Sequence, residues 1–360
     1  MKNLNREIFI NGRFLLKPPT GVNRFAYELC CALQELHVEF TLLCPHKNIH
    51  PAYSLDGFKI VYYGSGKSHI WEQIILPFFF FLRRKKYLLL NFTGLGPLVL
   101  KHKIITIHDL AFMHQPAWYA FSYRILYRLL TPLAARTSKK IITVSTFSKK
   151  EIMHYLGIPS ENIEVIYNAL PSVFTSNKLL RKESPVPFPY ILAVSSIDPR
   201  KNFSRLIEAF KKLENPTHHL CIIGGKDSIF SSFEKDEAFS KKDNVHWLGR
   251  LDDQELAHYY QFATCLVYPS LYEGFGIPPL EAMHFNTVSL VSDIPVFREV
   301  YQDSVAYTDP FDANKVALDI QNVINDQLLQ QQLISKASYC LKNYSWSKSA
   351  QKLSSILNDI

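Results

Sequence analysis

Short apolar runs recur along the chain without the alternation of polar and apolar residues that marks a half-exposed strand. Each run holds four to six mainly β-branched and aliphatic residues, and longer amphipathic stretches separate the runs. Parallel strands covered by helices on both faces have this pattern. The sequence therefore predicts an α/β fold with two doubly wound parallel sheets. The predicted strands are 104–107, 140–144, 163–166, 190–194, 220–223 and 265–268.

A proline-rich segment separates the two predicted sheets. Residues 184–189 read SPVPFP, and three prolines in six residues exclude regular structure. We predict an N-terminal Rossmann-like domain over residues 1–175, a linker over 176–189 and a second Rossmann-like domain over 190–345. Residues 346–360 have helical spacing of apolar positions and could pack on either domain, which includes a return to the first.

Charge is divided unevenly between the two halves of the chain. Residues 1–180 hold 22 Lys and Arg against 10 Asp and Glu, whereas residues 181–360 hold 18 against 22. The basic half indicates an anionic partner, and a phosphate-bearing acceptor or an anionic membrane surface would fit. No recognised nucleic-acid motif accompanies the charge, so we expect no nucleic-acid partner.

The six cysteines are scattered among apolar neighbours and have no metal-ligand spacing. The beginning of the chain does not resemble a secretory signal. These features predict a cytoplasmic protein with reduced thiols and no bound metal.

The longest apolar run covers residues 74–82, contains four consecutive phenylalanines and is followed by Arg-Arg-Lys-Lys at 83–86. Crossing a bilayer takes about 20 apolar residues, so this segment is too short to span one. Two interpretations stay open. The run is either a buried helix that ends at a solvated basic cap, or a helix at the membrane interface that places the protein on the inner face of the plasma membrane.

Polar or glycine-rich residues follow the predicted strands, at the edge where open α/β sheets bind ligands. The richest of these segments, 270–283, reads SLYEGFGIPPLEAM. Glu273 and Glu281 bracket a glycine turn, and Pro278 is typical of a helix start. Such a turn offers backbone N–H groups to an anion, and the two carboxylates can accept hydrogen bonds from hydroxyls of a sugar and a ribose. The other segments are 108–109, 145–146, 168, 195–202 and 224–226.

Glu-x7-Glu in this context resembles the signature of the retaining glycosyltransferases of family 4. Their fold is GT-B, in which two Rossmann-like domains face each other across a cleft. The resemblance extends in order over nearly the whole chain. Its other motifs are TGVNRFAYEL (20–29), IHDL (107–110), VSTFSKKEI (144–152), VIYNALP (165–171), SSIDPRKN (195–202), NVHWLGRLDDQEL (244–256) and SDIPVFREV (292–300).

The resemblance implies roles for individual residues. Glu281 would bind the ribose, Glu273 would hold the transferred sugar, and His108 would contact that sugar. Arg200 and Lys201 would neutralise the donor's diphosphate, and fixed cations at a developing anion lower the reaction barrier. The implied donor-binding residues are Glu281, Gly274, Phe275, Gly276, Ile277, Gly21, Ser196 and Gly249.

The chain also departs from the family's pattern. Asn286 stands near the position where the family usually has a glycine, and we expect it to adopt the left-handed backbone that asparagine tolerates. Many members have an arginine in place of Ser196. Trp71-Glu72-Gln73 resembles a stretch of mannosyltransferase-like members, and we expect Trp71 and Asp109 on the acceptor side.

The resemblance implies hexosyl transfer with retention of anomeric configuration, without metal or cofactor. GDP-mannose is the favoured donor, and UDP- and dTDP-sugars are alternatives. The acceptor would be a glycan or lipid-linked glycan in cell-surface polysaccharide synthesis, such as that of lipopolysaccharide. Two other functions stay open, namely a non-catalytic sugar- or lipid-binding scaffold and a GT-B-shaped nucleotide-sugar epimerase.

Overall fold

The computed structural model describes residues 6–66, 68–83, 86–175, 181–214, 217–225 and 244–360. Its strands form two parallel sheets covered by helices, so the predicted α/β fold is confirmed. The strands are β1 Glu7–Asn11, β2 Thr41–Cys44, β3 Ile60–Tyr62, β4 Tyr87–Asn91, β5 Lys103–Thr106, β6 Lys140–Thr143, β7 Ile163–Val165, β8 Tyr190–Val194, β9 His219–Ile223, β10 Val245–Gly249, β11 Cys265–Tyr268, β12 Ser289–Ser292 and β13 Ala306–Thr308.

The helices cover both sheets and range in length from 3 to 17 residues. They are α1 Gly21–Glu35, α2 Ser68–Ile70, α3 Leu76–Phe81, α4 Ala111–His114, α5 Phe121–Arg136, α6 Thr146–Leu156, α7 Phe203–Lys211, α8 Asp253–Phe262, α9 Pro278–His284, α10 Pro295–Tyr301, α11 Ala313–Asn325, α12 Gln327–Asn343 and α13 Trp346–Asp359. A π-helical turn, Trp71–Ile75, joins α2 to α3. A single 3₁₀ turn, Pro199–Lys201, precedes α7.

The first sheet has the order β3-β2-β1-β4-β5-β6-β7, and the second has the order β10-β9-β8-β11-β12-β13. The strand order reverses between β1 and β4 in the first sheet and between β8 and β11 in the second. Such reversal points are where open α/β sheets bind ligands, at the carboxyl ends of the strands. The six strands predicted from apolar runs correspond to β5, β6, β7, β8, β9 and β11.

The chain divides into two compact units. The first contains Met1–Met113, Ile125–Asn168 and Ser345–Ile360, and the second contains His114–Arg124 and Ala169–Tyr344. The last helix, α13, packs against α1 in the first unit and buries Leu353 completely. Residues 176–180 of the predicted linker lie outside the described residues.

Asn286 follows α9 with a φ of 59°, so the expected left-handed backbone is confirmed. Its N–H donates to the Met283 carbonyl at 3.1 Å. A left-handed residue at this position ends the helix and lets the chain turn into β12.

The apolar run at 74–82 is only partly buried. Leu76, Phe79 and Phe80 pack in the core of the first unit, whereas Ile74, Phe78, Phe81 and Leu82 are more than half exposed. The segment is therefore divided into a buried face and an exposed face, and the membrane-interface interpretation stays a prediction. Among the described residues, no helix has both the length and the apolar character needed to cross a bilayer.

Candidate active site

A buried ion pair lies at the carboxyl end of β11 in the second unit. Lys201 Nζ donates to Glu273 Oε1 at 2.5 Å, and the Tyr268 hydroxyl donates to the same oxygen at 2.7 Å. Lys201 Nζ also lies 3.1 Å from the Tyr268 hydroxyl, so the three groups form a closed triangle. Glu273 is only 6% exposed and Lys201 also 6%. Two predicted catalytic residues are thus in direct contact.

The surroundings of Glu273 favour its ionised form. Burial alone would raise the pKa of the carboxyl group. The positive charges of Lys201 and Arg200, with hydrogen bonds from Lys201 and Tyr268, more than offset burial and lower the pKa to about 2. Glu273 is therefore a carboxylate at neutral pH. In this form it accepts hydrogen bonds and has no proton to donate.

The 3₁₀ turn Pro199–Lys201 fixes the two cations through Asp198. The Asp198 carboxylate accepts a hydrogen bond from the Arg200 N–H at 3.1 Å, and its Oδ1 lies 3.6 Å from Arg200 Nε. The Ser196 hydroxyl donates to the other oxygen of Asp198 at 2.8 Å. Ser196, which was predicted to bind the donor, therefore supports the turn that carries Arg200 and Lys201.

Asn202 fastens this turn to two neighbouring loops. It has a left-handed backbone, with a φ of 59°. Its side-chain amide donates to the Pro269 carbonyl at 3.2 Å and to the Pro310 carbonyl at 2.8 Å. Asn202 has no predicted role in the sequence, although an asparagine directly after Pro-Arg-Lys is a signal for a left-handed turn.

The glycine turn after Glu273 needs glycine at Gly276. Its φ is 85°, and a Cβ atom there would lie 2.7 Å from the Phe297 ring. The Tyr301 hydroxyl donates to the Gly276 carbonyl. Gly274, Phe275 and Ile277 complete the turn before α9, which begins at Pro278 as predicted.

Glu281 lies in the first turn of α9 and is 7% exposed. The hydroxyl of the fully buried Tyr260 donates to Glu281 Oε2 at 2.7 Å. Burial, followed by the charge of Glu281, raises the pKa of Tyr260 well above its ordinary value, so the tyrosine stays protonated. Tyr260 therefore fixes the carboxylate by a hydrogen bond that persists across the physiological pH range.

Gly249 ends β10 at the same edge of the sheet and is exposed, with a φ of 73°. Its carbonyl accepts a hydrogen bond from the Gly224 N–H at 2.8 Å. Lys226, which belongs to a segment singled out in the sequence, lies outside the described residues.

His108 follows β5 in the first unit. Its Nε2 lies 2.9 Å from the Phe92 carbonyl, which can only accept, so Nε2 carries the proton. The ring packs edge-on against Phe25 at 5.0 Å, and burial lowers the pKa of the imidazole. His108 is thus a neutral imidazole with Nδ1 as an acceptor, suited to receiving a hydrogen bond from a hydroxyl.

The other predicted residues of the first unit have different surroundings. Gly21 is exposed and begins α1. The Asp109 carboxylate accepts a hydrogen bond from the Ala111 N–H at 3.0 Å at the start of α4. Trp71 is completely buried, and its indole N–H donates to the Tyr63 carbonyl at 2.8 Å. A side chain without exposed surface offers no contact to an acceptor, so the structure assigns Trp71 to packing.

Two family models together match most of the chain. The model described as Glycosyltransferase Family 4 matches residues 19–172, and the model described as Glycosyl transferases group 1 matches residues 176–359. The chain belongs to the family 4 glycosyltransferases. The resemblance seen in Glu-x7-Glu and in the ordered series of motifs is therefore confirmed.

Curated relatives include enzymes of O-antigen synthesis. Over 226 residues the chain is 35% identical to the O-antigen chain mannosyltransferase RfbU of Salmonella typhimurium, and the match covers 62% of each protein. Over 262 residues it is 27% identical to O-antigen chain mannosyltransferase B of Escherichia coli, covering 69% of this chain and 68% of that one. The chain thus spans less than two thirds of the length of RfbU.

Solved structures with the same fold cover nearly the whole chain. Sucrose-phosphate synthase from Thermosynechococcus elongatus has a TM-score of 0.76 at 18% identity, covering 98% of both chains. WaaG, a glycosyltransferase involved in lipopolysaccharide biosynthesis, has a TM-score of 0.69 at 14% identity, covering 97% of this chain and 99% of WaaG. These likenesses confirm the GT-B fold class.

The low pKa of Glu273 predicts a pH-dependent contribution to stability. The folded-state pKa of about 2 lies below the ordinary value of 4.5, so the stabilisation is complete above pH 4.5 and is lost as the pH falls toward 2. We expect wild type to melt at a higher temperature than Glu273→Gln at neutral pH. The difference should shrink steadily below about pH 4.5, measured by calorimetry. A difference that stays constant down to about pH 3 would contradict the assigned pKa.

Proposed function

We propose that the protein transfers a hexose, with mannose favoured, from a nucleotide-sugar donor to a glycan or lipid-linked glycan in cell-surface polysaccharide synthesis. The names of the O-antigen mannosyltransferase relatives support the sugar and the pathway class. GDP-mannose is the favoured donor, with UDP- and dTDP-sugars as alternatives. The observation that carries an enzymatic function is the buried set of Lys201, Glu273 and Tyr268, with Arg200 beside it.

In the proposed mechanism the two cations act on the donor's diphosphate. Negative charge grows on the departing phosphate, and preorganised cations stabilise it without further reorganisation. Asp198 and Glu273 already hold Arg200 and Lys201 in place. Glu273 would accept a hydrogen bond from a hexose hydroxyl, and Glu281 would accept those of the ribose.

We further propose retention of anomeric configuration, with the departing phosphate taking the acceptor's proton. Glu273 is ionised and held by Lys201 and Tyr268, which suits binding of the hexose rather than proton transfer. No metal is needed in this mechanism, because side-chain cations provide the positive charge. Among the described residues, no group of three or more His, Cys, Asp or Glu could hold a metal ion.

We also propose that the first unit binds an anionic membrane at the cytoplasmic face. Two exposed apolar faces support this. One contains Ile74, Phe78, Phe81 and Leu82, and the other lies on α5 and contains Ile125, Leu126, Leu129 and Leu133. Amphipathic helices bury such faces at the lipid boundary, and nearby cations add about 1 kcal/mol each at an anionic surface.

The cations after this apolar run are not equivalent. Arg83 pairs with Glu7 at 2.7 Å and lies over the rings of Phe9 and Phe79. Its charge is therefore engaged in contacts within the first unit. Lys86 is exposed. Arg84 and Lys85 lie outside the described residues. Of the two described cations of this run, Lys86 is therefore the one suited to contact lipid headgroups.

Substitution of each glutamate is expected to impair a different step of the reaction. Glu281→Ala should weaken binding of GDP because the ribose loses its acceptor, whereas Glu273→Ala should mainly lower kcat for GDP-mannose. GDP affinity is measured by calorimetry, and hydrolysis and transfer of the donor by GDP release. Glu255→Ala, an exposed change on α8, is the matched control. Unchanged kinetics in both variants would exclude the proposed donor site, and absence of any GDP-mannose turnover in wild type would favour a non-catalytic scaffold.

Removing either cation should slow the reaction sharply. Arg200→Ala and Lys201→Ala are each expected to lower kcat by about 100-fold, because loss of one preorganised donor to a developing anion costs about 3 kcal/mol. Arg205→Ala, which removes a partly exposed cation on α7, should change little. Full wild-type activity is expected in EDTA. Strict dependence on a divalent ion would contradict a mechanism that relies on side-chain cations.

Membrane binding should depend on the exposed apolar face and on salt. Wild type is expected to sediment with vesicles that contain phosphatidylglycerol, and less so at high salt because charges are screened beyond a Debye length of about 8 Å at physiological ionic strength. The triple variant Phe78→Ser, Phe81→Ser, Leu82→Ser should lose this binding.

The control carries Phe311→Ser and Leu328→Ser, which remove equally exposed apolar side chains from the second unit. Equal sedimentation of wild type, triple variant and control, or none for wild type at low salt, would refute the membrane assignment.

A further inference from the structure

A buried polar cluster lies where β1 and β4 end in the first unit. These neighbouring strands flank the reversal point of the sheet, where open α/β sheets bind ligands. Each strand ends in an asparagine, and both side chains are buried. The Asn11 amide donates to Asn91 Oδ1 at 2.6 Å. Apolar packing alone does not require polar side chains at these two positions.

Glu72 adds a charge to this cluster. It is completely buried, accepts a hydrogen bond from the Asn11 amide at 2.8 Å, and pairs with Arg13 across 3.1 Å. The π-helical turn Trp71–Ile75 carries it, and such turns occur often at functional sites. A buried ion pair is weak evidence for a stabilising role, because desolvation offsets much of the attraction.

Arg13 connects the cluster to the surface. Its side chain is 11% exposed. The loop after β4 passes close to the guanidinium at Gly94, where φ is 73° and a Cβ atom would lie 3.1 Å from Arg13 Nη2. His69 is half exposed, with Nδ1 4.0 Å from the Glu72 carboxylate. The Tyr127 ring centroid lies 6.4 Å from that of His69.

The chemistry of these groups fits neutral oxygen atoms better than an anion. Glu72 balances the charge of Arg13, so a bound phosphate would meet a buried carboxylate close by. Burial, followed by the charges of Arg13 and Lys17, lowers the pKa of His69, which favours the neutral imidazole. Sugar hydroxyls donate and accept, and they match a guanidinium donor beside a neutral imidazole.

We propose that Arg13, His69 and Tyr127 bind the terminal neutral sugar of the acceptor, and that Glu72 and Asn11 are positioning residues that hold Arg13. This inference rests on the proposed function, because it assigns a subsite to the same transfer reaction. Within the segment 69–72, the acceptor would then contact His69 rather than the buried Trp71. The rest of a lipid-linked acceptor could follow the exposed apolar residues Ile70 and Ile74.

Binding is tested with p-nitrophenyl compounds that share one aglycone. The panel contains the α-mannoside, α-galactoside, α-glucoside and β-N-acetylglucosaminide, with p-nitrophenyl phosphate as the anionic comparison. Ligand-observed NMR titration should show that wild type binds at least one glycoside and prefers it to the phosphate. Arg13→Lys and Glu72→Gln should weaken that glycoside at least tenfold, while Arg128→Lys, an exposed change on α5, should not.

A second readout separates this subsite from the donor site. In Arg13→Lys, KM for the bound glycoside should rise, while GDP affinity, which reports on the donor site of the second unit, should match that of Arg128→Lys. If Arg13→Lys or Glu72→Gln lowers the melting temperature, the glycoside affinity of His69→Ala tests the subsite instead, because His69 is half exposed.

Binding of no glycoside, preference for the phosphate, or unchanged glycoside affinity in the folded variants would overturn the inference. If wild type neither binds GDP nor hydrolyses GDP-mannose while glycoside binding still depends on Arg13, the transfer function fails and the sugar subsite stands.

Discussion

The contact between Lys201 and Glu273 is the interaction on which the rest of the second unit's site depends. An isolated charge in either position would be costly, so each group holds the other in place. Tyr268 shares the bond, and burial keeps its pKa well above the ordinary value, so its proton stays available. The elements that meet at this pair are the Pro199–Lys201 turn, the end of β11 and the glycine turn before α9. Hydrogen bonds thus fix the positions of both charged groups, which is what electrostatic preorganisation requires.

The two sheets use their reversal points in different ways. In the second unit the reversal between β8 and β11 brings the turn after β8 beside the loop after β11, which places two cations next to a carboxylate. In the first unit the reversal between β1 and β4 places Asn11 and Asn91 side by side. Glu72 accepts a hydrogen bond from Asn11 and pairs with Arg13. Buried polar groups at both points contact partners from distant parts of the chain. In both units a reversal point thus brings a largely buried cation into contact with a carboxylate.

Much of the fold could be predicted from local patterns. Strands such as β8 and β11 are continuous apolar runs because helices cover them on both faces, so composition alone marks them. Asn286 and Pro278 were predicted because their backbone preferences are local properties. Other strands gave weaker signals. The strand β1, for example, carries Glu7 and Asn11 at its ends, and β3 has only three residues. Their placement depends on pairing with neighbours that the sequence does not reveal.

By itself the sequence determined the family, the α/β class and the set of candidate residues, because motif order and apolar runs are properties of the linear chain. Only the tertiary structure decided which of those residues meet. Trp71 and Glu72 are adjacent in sequence, yet one packs in the core and the other pairs with Arg13. Ser196 supports Asp198 rather than standing alone, and the run at 74–82 splits into a buried and an exposed face. Burial and pairing arise from contacts between segments far apart in the chain, and a local pattern carries no information about such partners.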